Sequence, residues 1–259
     1  MLPTTSQSRL GRRFLKRFLY SQLAFRDVFF ILIGKTNPSI PFTVNAEPFS
    51  VYFNFRIRPE VLEEFITYIN LPAGFTVCPI RCVSNDTADY LLTLNVYEVS
   101  GLAKGIRAEW STYIMDESSK PRYMVLEAQS SETSMDPVDV ITKKGIVEHV
   151  SDEHSIKTKV VSLQGEVFNA RIALNGDEEK AQIHGEWIEA NDYIYWRNGI
   201  CDRSYYDAGM ANPKARLIPN SQTEFSDQTH WAKFIDPKPK HIIKYETAIE
   251  LVIMPWHNI

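Results

Sequence analysis

Cysteine is scarce: the 259 residues include three, Cys78, Cys82 and Cys201. Three cannot all pair within one chain, and on an extended strand Cys78 and Cys82 would stand roughly 13 Å apart, out of disulfide reach. No second cysteine pair and no nearby histidine completes a zinc site. They read as buried or semi-buried thiols of a reducing compartment, the cytoplasm. Long apolar runs are missing as well. The longest, residues 28–34, has seven residues, too few to span a bilayer, and no small-residue cleavage site follows it. There is no P-loop, no G-x-G-x-x-G after a strand, no H-E-x-x-H and no G-x-S-x-G elbow. The six histidines are scattered, and none joins a carboxylate cluster at metal-ligand spacing, so neither metal nor cofactor is expected.

Charge is unevenly placed. Residues 1–35 hold seven basic side chains against Asp27 alone, a charge of +6, which leaves −10 on the other 224 residues to give the net −4. So acidic a body repels phosphate backbones, and nucleic acid is not an expected partner. Within the basic arm Leu10, Phe14, Leu15, Phe18 and Leu19 recur near helical spacing. The arm, residues 1–40, is therefore read as an amphipathic helix docked on the body or on a neighbouring subunit.

From residue 41 onward the pattern is strand after strand. Residues 49–57 alternate aromatic and β-branched side chains as a half-buried strand does. Pro59 opens a short helix whose stripe is Leu62, Phe65, Ile66 and Ile69. Strands are predicted over residues 74–83, 90–99, 106–115, 122–129, 140–150, 156–163 and 166–174. Asn175-Gly176 supplies a hairpin turn into a strand over 181–190. One long strand is predicted over 241–254. Short connections imply antiparallel pairing. The fold class is α+β: one mostly antiparallel domain over 41–259, closed toward a barrel, with a few short helices and the strands over 106–115 and 140–150 lining one interior.

Four stretches in this order resemble the acetoacetate decarboxylase superfamily. They are the strand from Phe49 to Arg56 with the helix and the Leu71-Pro72-Ala73-Gly74-Phe75 turn, then Ser100-Gly101-Leu102 with Gly105-Ile106-Arg107-Ala108-Glu109. Thr142-Lys143-Lys144-Gly145 follows, and last Arg216-Leu217-Ile218-Pro219-Asn220 with Met254-Pro255. The resemblance implies that Lys143 forms a Schiff base, that Glu109 belongs to the active site, and that the chain forms a homo-oligomer acting on a small keto acid. Four departures accompany it. Thr142 replaces the family's proline, no G-R-E tripeptide precedes the lysines, residues 130–139 look inserted, and Asn45-Ala46-Glu47 stands where the family has an arginine.

The chemistry has its own logic. A free lysine with a pKa near ~10.4 is almost wholly ammonium at neutral pH. Lowering that value by about 4 takes roughly 5.5 kcal/mol, which burial in an apolar site supplies. On a strand Lys143 and Lys144 leave opposite faces, so their charges are separated and desolvation dominates the shift. That Lys143 is the nucleophile and Lys144 its neighbour is what the resemblance implies. Arg56 and Arg107 are candidates to hold a substrate carboxylate. Alternation divides residues 106–115 into an apolar side and a side carrying Arg107, Glu109, Ser111 and Tyr113. By itself it reads the second side as facing water. The leading function is decarboxylation of a β-keto acid. Aldol or dehydration chemistry on an α-keto acid would use the same imine, and a non-catalytic barrel holding a small apolar ligand would leave Lys143 exposed.

Overall fold

The computed structural model describes residues 42–71, 73–100, 105–117, 119–132, 142–162, 164–191, 194–196, 203–206 and 214–254. At residues 42–44, 142–144, 194–196, 203–206 and 250–254 the backbone alone is described. The basic arm, Cys201 and most of the expected insertion, from residue 133 onward, lie outside the described residues.

The chain opens with Phe42–Ala46 (β1) and Val51–Arg56 (β2), then a 3-10 turn at Pro59–Val61 and the helix Leu62–Ile69 (α1). Phe65 and Ile69 lie one helical turn apart and are both buried, and Asn70 closes the helix in the left-handed region at φ 49°. Asparagine is among the few residues at ease there. Thr76–Val77 (β3), Leu91–Ser100 (β4), Gly105–Met115 (β5) and Pro121–Ser130 (β6) follow. Next come Thr142–Lys144 (β7), Ile146–Ser151 (β8), Ser155–Val161 (β9), Val167–Ala173 (β10) and Glu179–Lys180 (β11). The chain continues through Gly185–Asn191 (α2), Ile194–Trp196 (β12), Arg203–Tyr206 (β13), Ala215–Ile218 (β14), Thr223–Asp227 (β15), His241–Tyr245 (β16) and Ile249–Met254 (β17).

Among the described residues these strands form a thirteen-stranded sheet and a four-stranded one, the latter in the order β15-β10-β9-β8. The large sheet branches at β4. One edge of β4 pairs β2 over Val51–Arg56 and then β1 at Asn45 and Ala46, while its other edge pairs β5. The arm from β2 runs on through β16, β14 and β11, and the arm from β1 through β17 and β13. On the far side β5 pairs β6, whose outer edge carries β12 and β7 end to end.

The α+β, mostly antiparallel reading holds, with four corrections. No closed barrel forms among the described residues: β12 lies beside β13, but no ladder joins them. β7 and β12 run parallel to β6, which long connections on either side permit. Gly176 does turn, at φ 85°, yet the segment after it does not return along β10. It pairs with β14 as β11 and then coils into α2, because Trp187, Ala190 and Asn191 are buried at helical rather than strand spacing. The predicted last strand breaks at residues 246–248, so that β16 pairs β2 while β17 pairs β1.

The large sheet is covered on both faces. On one face Val51, Phe53, Phe55 and Trp110 pack against Phe168, Ile172 and Val147 of the four-stranded sheet and against Trp231. On the other, Tyr52, Tyr97, Tyr113, Tyr123 and Tyr245 gather with Trp187 of α2. The strands over 106–115 and 140–150 do share an interior, and β5 lines a second one as well. A register shift in the β5–β6 ladder sets this division. Trp110 pairs with Glu127 and Ser111 with Val125, so Leu126 is the extra residue. Leu126 then packs on the Trp110 side, whereas Val125 and Ala128 belong to the tyrosine side. No helix among the described residues is long and apolar enough to cross a membrane.

A polar clasp holds the 84–89 loop to β16. Lys240 binds Asp86 at 2.8 Å and also Asp89, and His241 Nε2 meets Asp86 at 2.5 Å. Burial alone would raise the Asp86 pKa, but hydrogen bonds from Lys240, the Thr87 amide and His241 outweigh it and hold the value at about 2. An unfolded aspartate titrates near ~3.9. The stabilising contribution is therefore complete above that value and disappears as pH falls through about 2. Asp86→Asn is expected to lower the melting temperature at pH 7 and to leave it unchanged in strong acid, which a thermal melt at each pH checks.

Candidate active site

Glu109 sits at the middle of β5 and is 5 % exposed, and Arg107, two residues before it, is 4 % exposed. Arg107 Nε donates to Glu109 Oε1 at 2.5 Å, and the Tyr97 hydroxyl from β4 donates to the same oxygen at 3.0 Å. Among the described residues Oε2 has no hydrogen-bond donor. Burial, followed by the nearby carboxylate of Glu109, pushes the Tyr97 hydroxyl well above its ordinary pKa, so it stays a neutral donor. The same two causes, in the same order, push Tyr123 upward. This overturns the alternation reading, in which Arg107, Glu109, Ser111 and Tyr113 faced water. That reading assumes one wet face, and here α2 and the tyrosine cluster cover it.

Register places the remaining candidates. Arg107, Ala108 and Glu109 lie opposite Ser130, Gln129 and Ala128 of β6, which lie opposite Lys144, Lys143 and Thr142 of β7. The lysine pair is thus two strand spacings from the Arg107–Glu109 pair, roughly 10 Å between backbones. Lys143 occupies the row of Ala108, and Lys144 the row of Arg107. Gly145 closes this segment because only a bare Cα fits. A Cβ there would stand 2.9 Å from both Gln129 Oε1 and the Val161 carbonyl oxygen. Its amide donates to Ser130 O at 3.0 Å, so the end of β7 is fixed between β6 and β9.

Arg56 is not brought to this place. It ends β2 opposite Leu91, whereas Glu109 lies opposite Asn95, four residues or roughly 13 Å further along β4. Its exposed side chain pairs with Asp89 at 3.5 Å. The Cys78 thiol is buried and pushed up to about 12, first by that burial, so it is no nucleophile near neutral pH. No group of three metal-ligating side chains occurs among the described residues.

Two features of the site have no local signature in the sequence. One is its ring of tyrosines, contributed by β2, β4, β5, β6 and β16. The other is a set of buried polar atoms without partners among the described residues: Asn54 Nδ2, Asn95 Oδ1, Ser111 Oγ, Tyr123 Oη and Tyr245 Oη. Each such atom costs about 1–3 kcal/mol when nothing satisfies it.

The molecule is thus a branched, two-sheet α+β protein with a buried Arg–Glu–Tyr cluster facing an aromatic interior. Its fold is that of acetoacetate decarboxylase. Acetoacetate decarboxylase from Legionella pneumophila superposes with a TM-score of 0.52 over 82% of this chain and 85% of that one, at 8% sequence identity. A second acetoacetate decarboxylase structure gives a TM-score of 0.42 at 13% identity, over 82% of this chain and 86% of the other. An acetoacetate decarboxylase-like enzyme from Sphingomonas wittichii gives 0.47 at 8% identity, over 84% and 93%. No protein-family model and no curated protein matches the sequence.

Proposed function

We propose that this protein is a Schiff-base lyase acting on a keto acid, with Lys143 as nucleophile and decarboxylation of a β-keto acid as its reaction. The observation that carries the reading is the buried Glu109. Its Oε1 is held by Arg107 and Tyr97, its Oε2 takes no donor among the described residues, and the Lys-Lys pair lies two strands away. A carboxylate fixed by one oxygen and open at the other is suited to proton transfer. The amine of Lys143 adds to the ketone and water leaves, giving a protonated imine. Electrons of the bond to the carboxylate carbon then flow into the iminium, CO2 departs and an enamine remains. Protonation at carbon and hydrolysis return the ketone and the free lysine, with Glu109 passing the protons. Arg107 holds the Glu109 carboxylate in this scheme, and Arg56 takes no part.

Register supports one variation. Lys143 shares the row of Ala108, which packs with Trp110 on the other side of β5 from Glu109. Lys144 shares a row with Ser130 and Arg107 on the Glu109 side, so Lys144 is the alternative nucleophile. Incubation with β-keto acids and borohydride, followed by mass spectrometry of the tryptic peptides, tests both. An adduct on Lys143, abolished by Lys143→Arg and retained in Lys144→Arg, is the expected result. An adduct on Lys144 keeps the imine and moves the nucleophile by one residue. No adduct from a panel that also includes α-keto acids would overturn the proposal.

A further inference from the structure

The interior face around Glu109 carries more hydrogen-bonding capacity than the described residues use. Asn54, Thr93 and Ser111 form one cross-strand row of β2, β4 and β5, and Tyr52, Asn95 and Glu109 form the adjacent row. Thr93 Oγ1 donates to Asn54 Oδ1 at 2.8 Å, which leaves Asn54 Nδ2 as a donor without an acceptor. Asn95 Oδ1 is an acceptor without a donor, and Tyr245 Oη has neither. Ser111 Oγ and Tyr123 Oη influence one another without a well-formed hydrogen bond. Asn95 is 5 % exposed and the other four are 1 % or less. Buried polar atoms are nearly always paired, so a group of five on one face calls for an absent partner.

The composition of the set describes that partner. It offers one amide donor, one amide acceptor and three hydroxyls that can do either. An alkyl chain would leave every one of them desolvated and unmatched. A chain of hydroxyl groups, each a donor and an acceptor, would match them. The scale also fits: Ser111 is two residues beyond Glu109 on the same strand face, about 7 Å, the span of a few carbon atoms.

We propose that the site accepts a hydroxylated keto acid. Its carbonyl and carboxylate lie toward Glu109 and β7, and its hydroxyl-bearing chain runs along Asn95, Ser111 and Asn54. This rests on the imine reading above for the reacting end and on the five polar atoms for the tail.

The test compares 3-oxohexanoate with the same acid hydroxylated on the three carbons beyond the carbonyl, scored by the rate of borohydride trapping. A preference of at least about 100-fold for the hydroxylated acid is expected, since a site built to bond hydroxyls rejects an analogue lacking them. The double variant Asn95→Leu/Ser111→Ala should shrink that preference below about 10-fold while melting no lower than the parent, because it removes atoms that have no partner. Equal trapping of both acids, or faster trapping of the alkyl one, overturns this inference and leaves the lyase reading standing. If neither acid is trapped, the wider keto-acid panel decides the lyase reading, and binding alone decides the tail. Gluconate should then raise the melting temperature and hexanoate should not. Equal shifts, or none, mean that buried water serves these atoms, and the inference is wrong.

Discussion

Arg107→Leu is expected to cost about 3–5 kcal/mol of folding stability, because it leaves the Glu109 carboxylate buried without its counter-charge. Both side chains are almost fully enclosed, and the pair is joined by a direct hydrogen bond. Solvent therefore has little room to screen the orphaned charge, in contrast to the exposed pair of Arg56 with Asp89. The companion Arg107→Leu/Glu109→Gln should recover most of the loss. It removes both charges and keeps an amide oxygen for the Tyr97 hydroxyl to meet. Urea unfolding of the two single variants and the double closes a thermodynamic cycle. A single-variant loss below about 1 kcal/mol would mean that water reaches the pair and that the interior is open rather than dry.

A comparable loss, about 3–5 kcal/mol, is expected for Trp187→Ala. Trp187 has no exposed surface. It stacks on Tyr245 at 6.2 Å, meets Tyr52 edge-on at 5.2 Å and donates its indole hydrogen to the Tyr113 hydroxyl at 2.5 Å. Truncation removes the ring, opens a cavity in the tyrosine cluster and strips Tyr113 of its donor. For a chain of this size the melting temperature should fall by about 6–20 °C. Trp187→Phe keeps most of the volume and loses the hydrogen bond, so a smaller cost of about 2 kcal/mol is expected. Equal effects of the two substitutions in thermal melts would show that the indole N–H, not ring volume, holds this helix to the sheet.

The strands that the sequence makes legible are those with steady alternation. In β9 and β10 the buried residues Ile156, Thr158, Val160, Phe168, Ala170 and Ile172 occur at every second position. β5 was legible as a strand and misleading as a surface. Its charged residues point into a second interior, built by residues from β2, β4, β6, α2 and β16 that no local window brings together. The role proposed for Glu109 rests on motif order and not on periodicity. α2 escaped because the run through Ala181 and Ile183 imitates a strand before Trp187 and Ala190 take up helical spacing. The parallel partners β7 and β12, at three residues each, are too short to carry any period. The unpartnered atoms of Asn54, Asn95 and Tyr245 are a property of what surrounds them, and sequence holds no trace of that.

Gly145 fixes the lysine segment from its downstream side. The chain after Lys144 is locked where a side chain would collide with Gln129 and with the backbone of β9. The chain before Thr142 comes from a long connection after β6. A segment anchored at its downstream end takes its position from that anchor and not from the length of the tether leading to it. The connection can therefore lengthen, shorten or change composition over evolutionary time without shifting the lysines relative to Glu109. A single methyl group at position 145 would move them. The molecule can thus vary the tether while the separation of β7 from Glu109 stays constant.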